Sequence, residues 1–340
     1  MKTVFVGLSG GVDSAVSAAL LIERGYNVVG AFIKIWRPEF IDCPWQKDRL
    51  DAMRVCAALE IPFREIDLSE EYKKQVIDDM VANYARGITP NPDVLCNRHI
   101  KFGAFMNWAL SEGADIVATG HYAQNSDGQL RRGKDTNKDQ SYFLWQLTRN
   151  DLQKIQFPIG SYTKPEVRAL AKKFNLPVAA KKDSQGLCFV GDITLRDFLS
   201  HYIPLSKGSV LDEEGNVIGE HDGAALYTLG ERHGFRIHAH SAAMVPHFVI
   251  GVSTEKNTIT VSPDRFKAER HIAALLDTNW IDTRHPSKRL CAQARYREKP
   301  VACSIEGNTV TFDEPHLVPA GQSLVVYDGD NVVGGGVISA

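Results

Sequence analysis

The chain has 340 residues, 44% hydrophobic and 24% charged, with a formal net charge of −2, which excludes a disordered or fibrous protein and a broad basic coat for nucleic acid. No apolar stretch reaches the length of a membrane span, and no leader pattern opens the N-terminus. Six cysteines spread over this length lack the density of a secreted disulfide scaffold, so the expected compartment is the cytoplasm.

In chain order, Val4-Phe5-Val6-Gly7-Leu8 reads as a buried parallel strand. It runs into Ser9-Gly10-Gly11-Val12-Asp13-Ser14, after which Val16, Ala19, Leu20 and Ile22 recur at helical spacing. A glycine-rich strand-to-helix turn points backbone N–H groups and the positive end of a helix dipole at one place, so it reads as a phosphate site. The lysine of a P-loop and the Gly-x-Gly-x-x-Gly of a dinucleotide site are both missing. Asp13 suits Mg²⁺ carried between bound phosphates, with a helix-capping carboxylate as the plainer alternative.

Further strands are expected at 28–35, 63–67 and 115–119, and helices at 48–59, 70–85, 102–111 and 164–174, with a loop over 87–92. Strands alternating with helices predict an α/β domain with a doubly wound parallel sheet. Near residue 203 the composition turns to short strands separated by Gly, Asp and Asn. The expected domains are therefore 1–203, catalytic, 204–267, small and β-rich, and 268–340, a C-terminal β-barrel built from short strands at 291–296, 301–305, 309–312, 323–327 and 332–338.

Two cysteines stand out by their neighbours. Cys96 follows Asn91-Pro92-Asp93-Val94-Leu95, and Cys188 lies in Lys181-Lys182-Asp183-Ser184-Gln185-Gly186-Leu187-Cys188-Phe189. Both segments read as polar loops with cationic neighbours, the setting that lowers a thiol pKa, while an ordinary buried thiol is equally compatible. Neither has metal-ligand spacing. Cys56, Cys291 and Cys303 read as packed small hydrophobes. Arg131, Arg132, Lys134 and Lys138 form a local basic patch in a charged loop. From Lys267 to Lys299 there are eight Lys or Arg against four Asp or Glu, and from Val301 onward there are none of the basic pair. Positive charge is thus concentrated where Arg295, Tyr296 and Arg297 could clamp phosphates and stack a base, unless they are solvent-facing strand residues.

The string from Ser9 to Ser14 resembles the pyrophosphatase loop of the N-type ATP pyrophosphatases. With it, in order, come Asn91-Pro92-Asp93 and Cys96-Asn97, Gly120-His121-Tyr122, Lys138-Asp139-Gln140-Ser141-Tyr142, and Asp183-Ser184-Gln185-Gly186-Leu187-Cys188-Phe189. Tyr227-Thr228-Leu229-Gly230, Ala294-Arg295-Tyr296-Arg297 and Pro319-Ala320-Gly321-Gln322-Ser323 follow. The ordered set spans nearly the whole chain and resembles the bacterial tRNA 2-thiouridylase family. The resemblance implies a tRNA uridine 2-sulfurtransferase: ATP-dependent adenylation of the C2 oxygen of the wobble uridine, then sulfur transfer from a cysteine persulfide, giving 2-thiouridine, AMP and pyrophosphate.

It also implies site roles. Gly7, Leu8, Ser9, Gly10, Gly11, Val12, Asp13 and Ser14 would bind ATP, with Ile33 against the adenine and Gly120 beside the nucleotide. Cys188 would carry the persulfide and Cys96 would free its terminal sulfur, leaving a transient Cys96–Cys188 disulfide. Asp93 would be a general acid/base beside the target base, although a turn or cap role is open to it. Asn91, Pro92, Asp93, His121, Lys138, Asp139, Gln140, Arg295, Tyr296 and Gln322 would contact tRNA, although Lys138 and Asp139 by themselves read as solvated surface. The implied cofactors are ATP and its Mg²⁺, with no further metal and with the persulfide as sulfur carrier. The implied partners are wobble-uridine tRNAs for Lys, Glu and Gln, and a cysteine desulfurase or sulfur-relay protein as donor, with no membrane. One departure from the family pattern is Glu231-Arg232-His233-Gly234, where a more cationic turn is expected. Two other readings are a pyrophosphatase-loop ligase such as argininosuccinate synthetase, which would need no cysteines, and a nucleotide-binding sensor, which would not consume ATP on meeting tRNA.

Overall fold

The computed structural model describes residues 1–40, 45–182, 193–238, 245–282 and 290–339. The expected α/β domain is present. Its sheet runs Phe63–Asp67, Asn27–Lys34, Thr3–Gly7, Ile116–Ala118, Ile155–Gln156, with every neighbouring pair parallel. Strand order reverses beside Thr3–Gly7: the chain first builds outward to Asn27–Lys34 and later returns to add Ile116–Ala118 on the other side. A crevice opens at such a switch point, outside the carboxyl ends of the strands. The turn after Thr3–Gly7 and the turn after Ile116–Ala118 flank it.

Two β units follow. One is a five-stranded sheet ordered Phe235–Ile237, Val217–His221, Gly208–Leu211, Thr258–Ser262, Phe248–Ser253. In the other, Glu269–Trp280, Thr309–Leu317, Val301–Glu306, Leu290–Gln293, Ser323–Asp328 and Asn331–Ile338 pair in that order, and the last pairs back onto the first, closing a barrel. The twelve-residue strand Glu269–Trp280 is one that sequence reading missed. Its pairing register shifts twice, between Arg270 and Ile272 and between Leu276 and Asn279, so inward and outward positions do not alternate cleanly along it.

Sequence reading also expected a loop around Cys96 and a helix from residue 102. The chain is instead helical without a break through Pro92–Leu95, Cys96–Ala104 and Phe105–Ser111, the middle part in π-helical turns. The start is chemically legible: the Asn91 side chain accepts from the Val94 amide at 3.3 Å, and Pro92 takes the first helical position, where its missing N–H is no loss.

The expected charged loop over residues 129–140 begins as a strand and continues as turn. Ala123–Ser126 and Gln129–Arg132 form a hairpin that extends the barrel sheet through Arg131 and Asn331. The expected basic patch is neutralised in place: Arg132 meets Asp139 at 3.0 Å, Lys134 meets Glu166 at 2.9 Å, and Arg131 lies 4.0 Å from Asp330. Arg132 also lies over the Tyr327 ring, 3.5 Å from its centre. Asp139 is buried, and its carboxylate accepts from the Gly133 and Ser141 amides at 2.9 and 3.1 Å and from the Ser141 hydroxyl at 3.0 Å. The Tyr142 hydroxyl donates across to Ala294 O and Ser323 O at 3.0 and 2.8 Å. Leu130, Tyr142 and Trp145 therefore share one apolar core with Val325, Tyr327 and Val332 of the barrel. The α/β domain and the barrel are packed together along this seam.

Removing one member of a buried ion pair strands the other, at a cost of about 3–5 kcal/mol. Asp139→Ala is expected to cost that much in urea denaturation, because the Arg132 guanidinium keeps its place at the seam without a counter-charge. A loss below about 1 kcal/mol, the scale of an exposed pair, would show that the pair does not hold the seam.

Candidate active site

At the switch point the first strand ends at Gly7, and Leu8 continues the sheet by donating its amide to Ala31 O at 2.7 Å. Gly10 takes φ of +71°, the left-handed region where glycine carries no Cβ penalty. A Cβ there would lie 2.3 Å from Asp48 O, so the turn is pressed against the helix Trp45–Ala58. The helix Val12–Glu23 then starts without a side-chain cap, leaving its first amides facing the crevice. Two serines close the turn from inside: the Ser9 amide donates to Ser14 Oγ at 3.2 Å, and Ser14 Oγ donates to Gly11 O at 3.3 Å.

Gly120 comes in from the neighbouring strand. A Cβ on it would fall 2.6 Å from the Ser14 amide nitrogen and 2.8 Å from the Asp13 carbonyl carbon, so only glycine allows this approach. Gly7, Ser9, Gly10, Gly11, Asp13 and Ser14 thus meet Gly120 at the carboxyl ends of the two strands, while Leu8 and Val12 are packed into the apolar core. Ile33 lies half-buried near the carboxyl end of the adjacent strand, paired with Ile66.

Asp13 is the one charged residue of the turn. Its carboxylate accepts from the Tyr122 hydroxyl at 2.8 Å and from Lys164 Nζ at 2.8 and 2.9 Å. Tyr122 is itself held by Gln140, whose side-chain oxygen takes the Tyr122 amide at 3.0 Å while its own amide donates to Tyr122 O at 2.8 Å. Lys181 Nζ donates to Gly10 O at 3.0 Å, Asp48 at 2.8 Å and Asp51 at 2.7 Å. No group of three or more metal-ligating side chains occurs among the described residues. A Mg²⁺ arriving on a nucleotide would need few protein oxygens, and Asp13 is the one carboxylate on the turn.

A second cluster is tied to the first through His121. Its Nδ1 lies 2.7 Å from Thr119 Oγ1 and its Nε2 lies 3.4 Å from Lys101 Nζ. A lysine ammonium can only donate, so Nε2 is the acceptor and the ring proton sits on Nδ1, facing Thr119. Burial holds the His121 pKa well below its usual 6.5, and Lys101 pushes the same way. Lys101 stands one helical face along from Asp93, whose carboxyl burial pushes up while Lys101 draws it down. Cys96 lies on the next turn as a half-buried thiol. Asn97 Nδ2 donates to Phe143 O at 3.2 Å. The Phe143 ring lies 4.5 Å from that of Tyr296, and Arg297, at φ of +63°, sits 5.0 Å over Tyr296.

Several residues singled out in the sequence have internal partners. Asn91 caps a helix and Pro92 is buried behind it. Gln322 Nε2 donates to Thr89 O and Pro90 O at 2.9 and 3.2 Å, and Arg295 Nη2 donates to Leu229 O at 2.6 Å. Lys138 is half-buried on the turn before Asp139. Glu231 takes the Thr228 amide at 3.2 Å, and burial raises its carboxyl pKa. Cys188, and with it the Cys96–Cys188 pairing, lies outside the described residues. Burial raises the thiol of Cys56 to about 11 and that of Cys303 to about 12, and Cys291 moves the same way, which suits packed, unreactive side chains.

Three family models match the chain in succession. They are described as tRNA methyl transferase HUP domain over residues 2–192, tRNA methyl transferase PRC-barrel domain over 196–263, and aminomethyltransferase beta-barrel domain over 270–338. A curated protein of Akkermansia muciniphila named tRNA-specific 2-thiouridylase MnmA is 43% identical over 351 residues, covering 99% of this chain and 98% of its own length. The chain belongs to the tRNA-specific 2-thiouridylase family. Relatives of the same name from Enterococcus faecalis and Francisella tularensis are 43% and 42% identical, covering 98% and 99% of the chain and 94% and 99% of their own lengths.

In this 2-thiouridylase chain, sequence reading did not single out Lys101, Tyr122, Lys164 or Lys181 as site residues. Lys101 and Lys164 sit on ordinary-looking helices and Tyr122 and Lys181 lie outside helix and strand, with Gly120-His121-Tyr122 and the segment from Lys181 as the signals near them. The neutral His121 makes stability depend on pH. Unfolded histidine takes up a proton as pH falls below 6.5 while the buried ring refuses it, so stability drops with acidification through that window. Thermal melts at about pH 7.5 and about pH 5.5 are expected to differ less for His121→Gln than for the parent. An identical drop in both would remove His121 as the source.

Proposed function

We propose that this chain, a tRNA-uridine sulfurtransferase of that family, converts the wobble uridine of tRNA to 2-thiouridine by adenylating the base and then delivering persulfide sulfur. Oxygen on a uracil C2 is a poor leaving group. The glycine turn would hold the β- and γ-phosphates of ATP on the amides of Gly10 to Ser14, with Asp13 toward the accompanying Mg²⁺, Ile33 by the adenine and Gly120 under the nucleotide. Fixed amides aimed at the phosphates stabilise charge without reorganising during the reaction. The uridine O2 attacks the α-phosphorus, its bond to pyrophosphate breaks, and the base carries AMP.

Asp93, whose pKa burial raises against the pull of Lys101, would exchange a proton with the base. Cys188 would carry the outer sulfur as a persulfide. The Cys96 thiolate attacks the inner sulfur, forming a Cys96–Cys188 disulfide and releasing hydrosulfide. Hydrosulfide adds at C2, AMP leaves with the former O2, and loss of a proton gives the thiocarbonyl. A thiol reductant then returns both cysteines to thiols, and a cysteine desulfurase or sulfur-relay protein reloads Cys188. Tyr296, Arg295 and Arg297, with His121, Lys138, Asp139, Gln140, Asn91, Pro92 and Gln322, would shape the surface that meets tRNA for Lys, Glu or Gln, some directly and some through the backbone they hold.

One observation carries this reading. The helix with Asp93 and Cys96 connects through Lys101 and His121 to Gly120, which touches Ser14 and Asp13 of the glycine turn. A base held near Asp93 and a nucleotide held on the turn would then share one crevice.

The test is mass spectrometry of tRNA nucleosides after incubation with MgATP and a persulfide source, with release of pyrophosphate followed in parallel. The parent chain is expected to yield 2-thiouridine with AMP and pyrophosphate in equal amounts. Asp13→Ala should release no tRNA-dependent pyrophosphate while melting as a folded protein. Cys188→Ser should adenylate tRNA but neither hold nor transfer sulfur, and Cys96→Ser should hold sulfur on Cys188 without delivering it. Full thiolation by either cysteine variant would sink the persulfide scheme.

A further inference from the structure

Lys101 is a cation whose charge nothing in the fold cancels. It is half-buried on the π-helical stretch Cys96–Ala104, and among the described residues it forms no ion pair. Its hydrogen-bond partner is His121 Nε2 at 3.4 Å. Burial keeps that ring neutral, and Thr119 Oγ1 holds its other nitrogen at 2.7 Å. Phe157 packs edge-on against it, with ring centres 5.9 Å apart. A neutral acceptor fixes the direction of an ammonium and leaves its charge intact, where a carboxylate would cancel it. Drawing such a charge partly out of water costs free energy, so it is placed for an anion that the chain does not itself supply.

Asp93 is the acid nearest in effect. Burial raises its carboxyl pKa and Lys101 opposes the rise. The two lie eight residues apart, which at 3.6 residues per turn would leave them on different sides of an ordinary helix. The π-helical turns take in more residues per turn and bring them toward one face. Helical side chains lean toward the N-terminus, so the lysine reaches back in the direction of Asp93. The two form no hydrogen bond with each other, and the Asp93 carboxylate makes none with any other described side chain. Together they offer one acceptor and one cationic donor along a single face.

A uracil presents an N3–H between two carbonyl oxygens. Loss of that proton spreads negative charge over N3, O2 and O4 and makes O2 the stronger nucleophile. On the reading that Asp93 meets the target uracil, we propose that Lys101 is a further catalytic residue, the cation that faces O4 and stabilises the uracil anion formed as Asp93 takes the N3 proton. The proton ends on the Asp93 carboxylate. The freed electron pair carries O2 onto the α-phosphorus, and pyrophosphate leaves with the pair of the broken P–O bond. Lys101 gives up no proton. Because His121 already aims it, the ammonium needs no reorganisation as the charge develops.

Single-turnover release of pyrophosphate tests this with full-length tRNA carrying uridine or 5-fluorouridine at the wobble position, since fluorine acidifies N3–H and lessens the need for a cation. Lys101→Gln still offers a donor to His121 but carries no charge. It is expected to slow release from uridine tRNA by about 100-fold and from 5-fluorouridine tRNA by only about tenfold. Lys101→Met should behave alike, and Lys101→Arg should keep most of the parent rate. Removing Lys101 strands no counter-charge, so the variants should melt close to the parent. Parent-like release by Lys101→Gln overturns the role of the lysine and reduces it to a support for His121. Equal slowing with both bases also overturns it, since that reports damage to the site as a whole. Parent-like release by Asp93→Asn overturns the reading of Asp93 and, with it, this role.

Discussion

Asp13 brings a single negative charge to a turn built to attract anions, and much of the catalytic domain is arranged around that conflict. The uncapped helix amides favour that charge, but beside a bound anion it would repel unless cations or donors sit on it. Lys164 and the Tyr122 hydroxyl supply them. Each needs its own support. Tyr122 depends on Gln140, which follows buried Asp139, and Lys164 depends on a helix whose first amide is held by Asp135. The stretch 133–140 thereby links the turn to the barrel seam, where Arg132 pairs with Asp139 and lies over Tyr327.

The same economy governs the loop over 87–92 that leads into the helix of Asp93 and Cys96. Thr89 meets Thr228, in a connection of the middle unit, at 2.7 Å, its amide donates to Ala320 O at 3.2 Å, and Gln322 holds Thr89 O and Pro90 O. Gly321 is pressed so close that a Cβ would fall 2.3 Å from the Ile88 side chain. Both β units therefore set where the Asp93 helix begins. The π-helical turns through Cys96–Ala104 widen the helix at the point where it carries the thiol, and such turns occur often at functional sites.

Much was legible in the chain before any coordinates. The run Val4 to Leu8, the two glycines and the apolar spacing behind them specify a strand, an open turn and a helix, because each depends on local backbone preference and short-range periodicity. The alternation of strands and helices was enough for a doubly wound sheet, and the short strands near the end for a barrel. The extent of the helix at Cys96 could have been read from Asn91-Pro92, a cap and a first-turn proline, had the following polar residues not suggested a loop. The strand Glu269–Trp280 could not, since its bulges break the two-residue alternation on which strand reading rests.

What the sequence by itself determined, then, is the chemistry on offer: a phosphate-cradling turn, a carboxylate on it, and thiols set among cations. Tertiary structure alone decided which of those charges face each other. Lys164 and Asp13 are 151 residues apart, and Arg132 and Tyr327 come together only where a hairpin of one domain joins the sheet of another. Charged side chains read as solvated surface until a partner far along the chain removes them from water. Ion pairing of this kind carries no local periodicity, and only the fold supplies the second half of each pair.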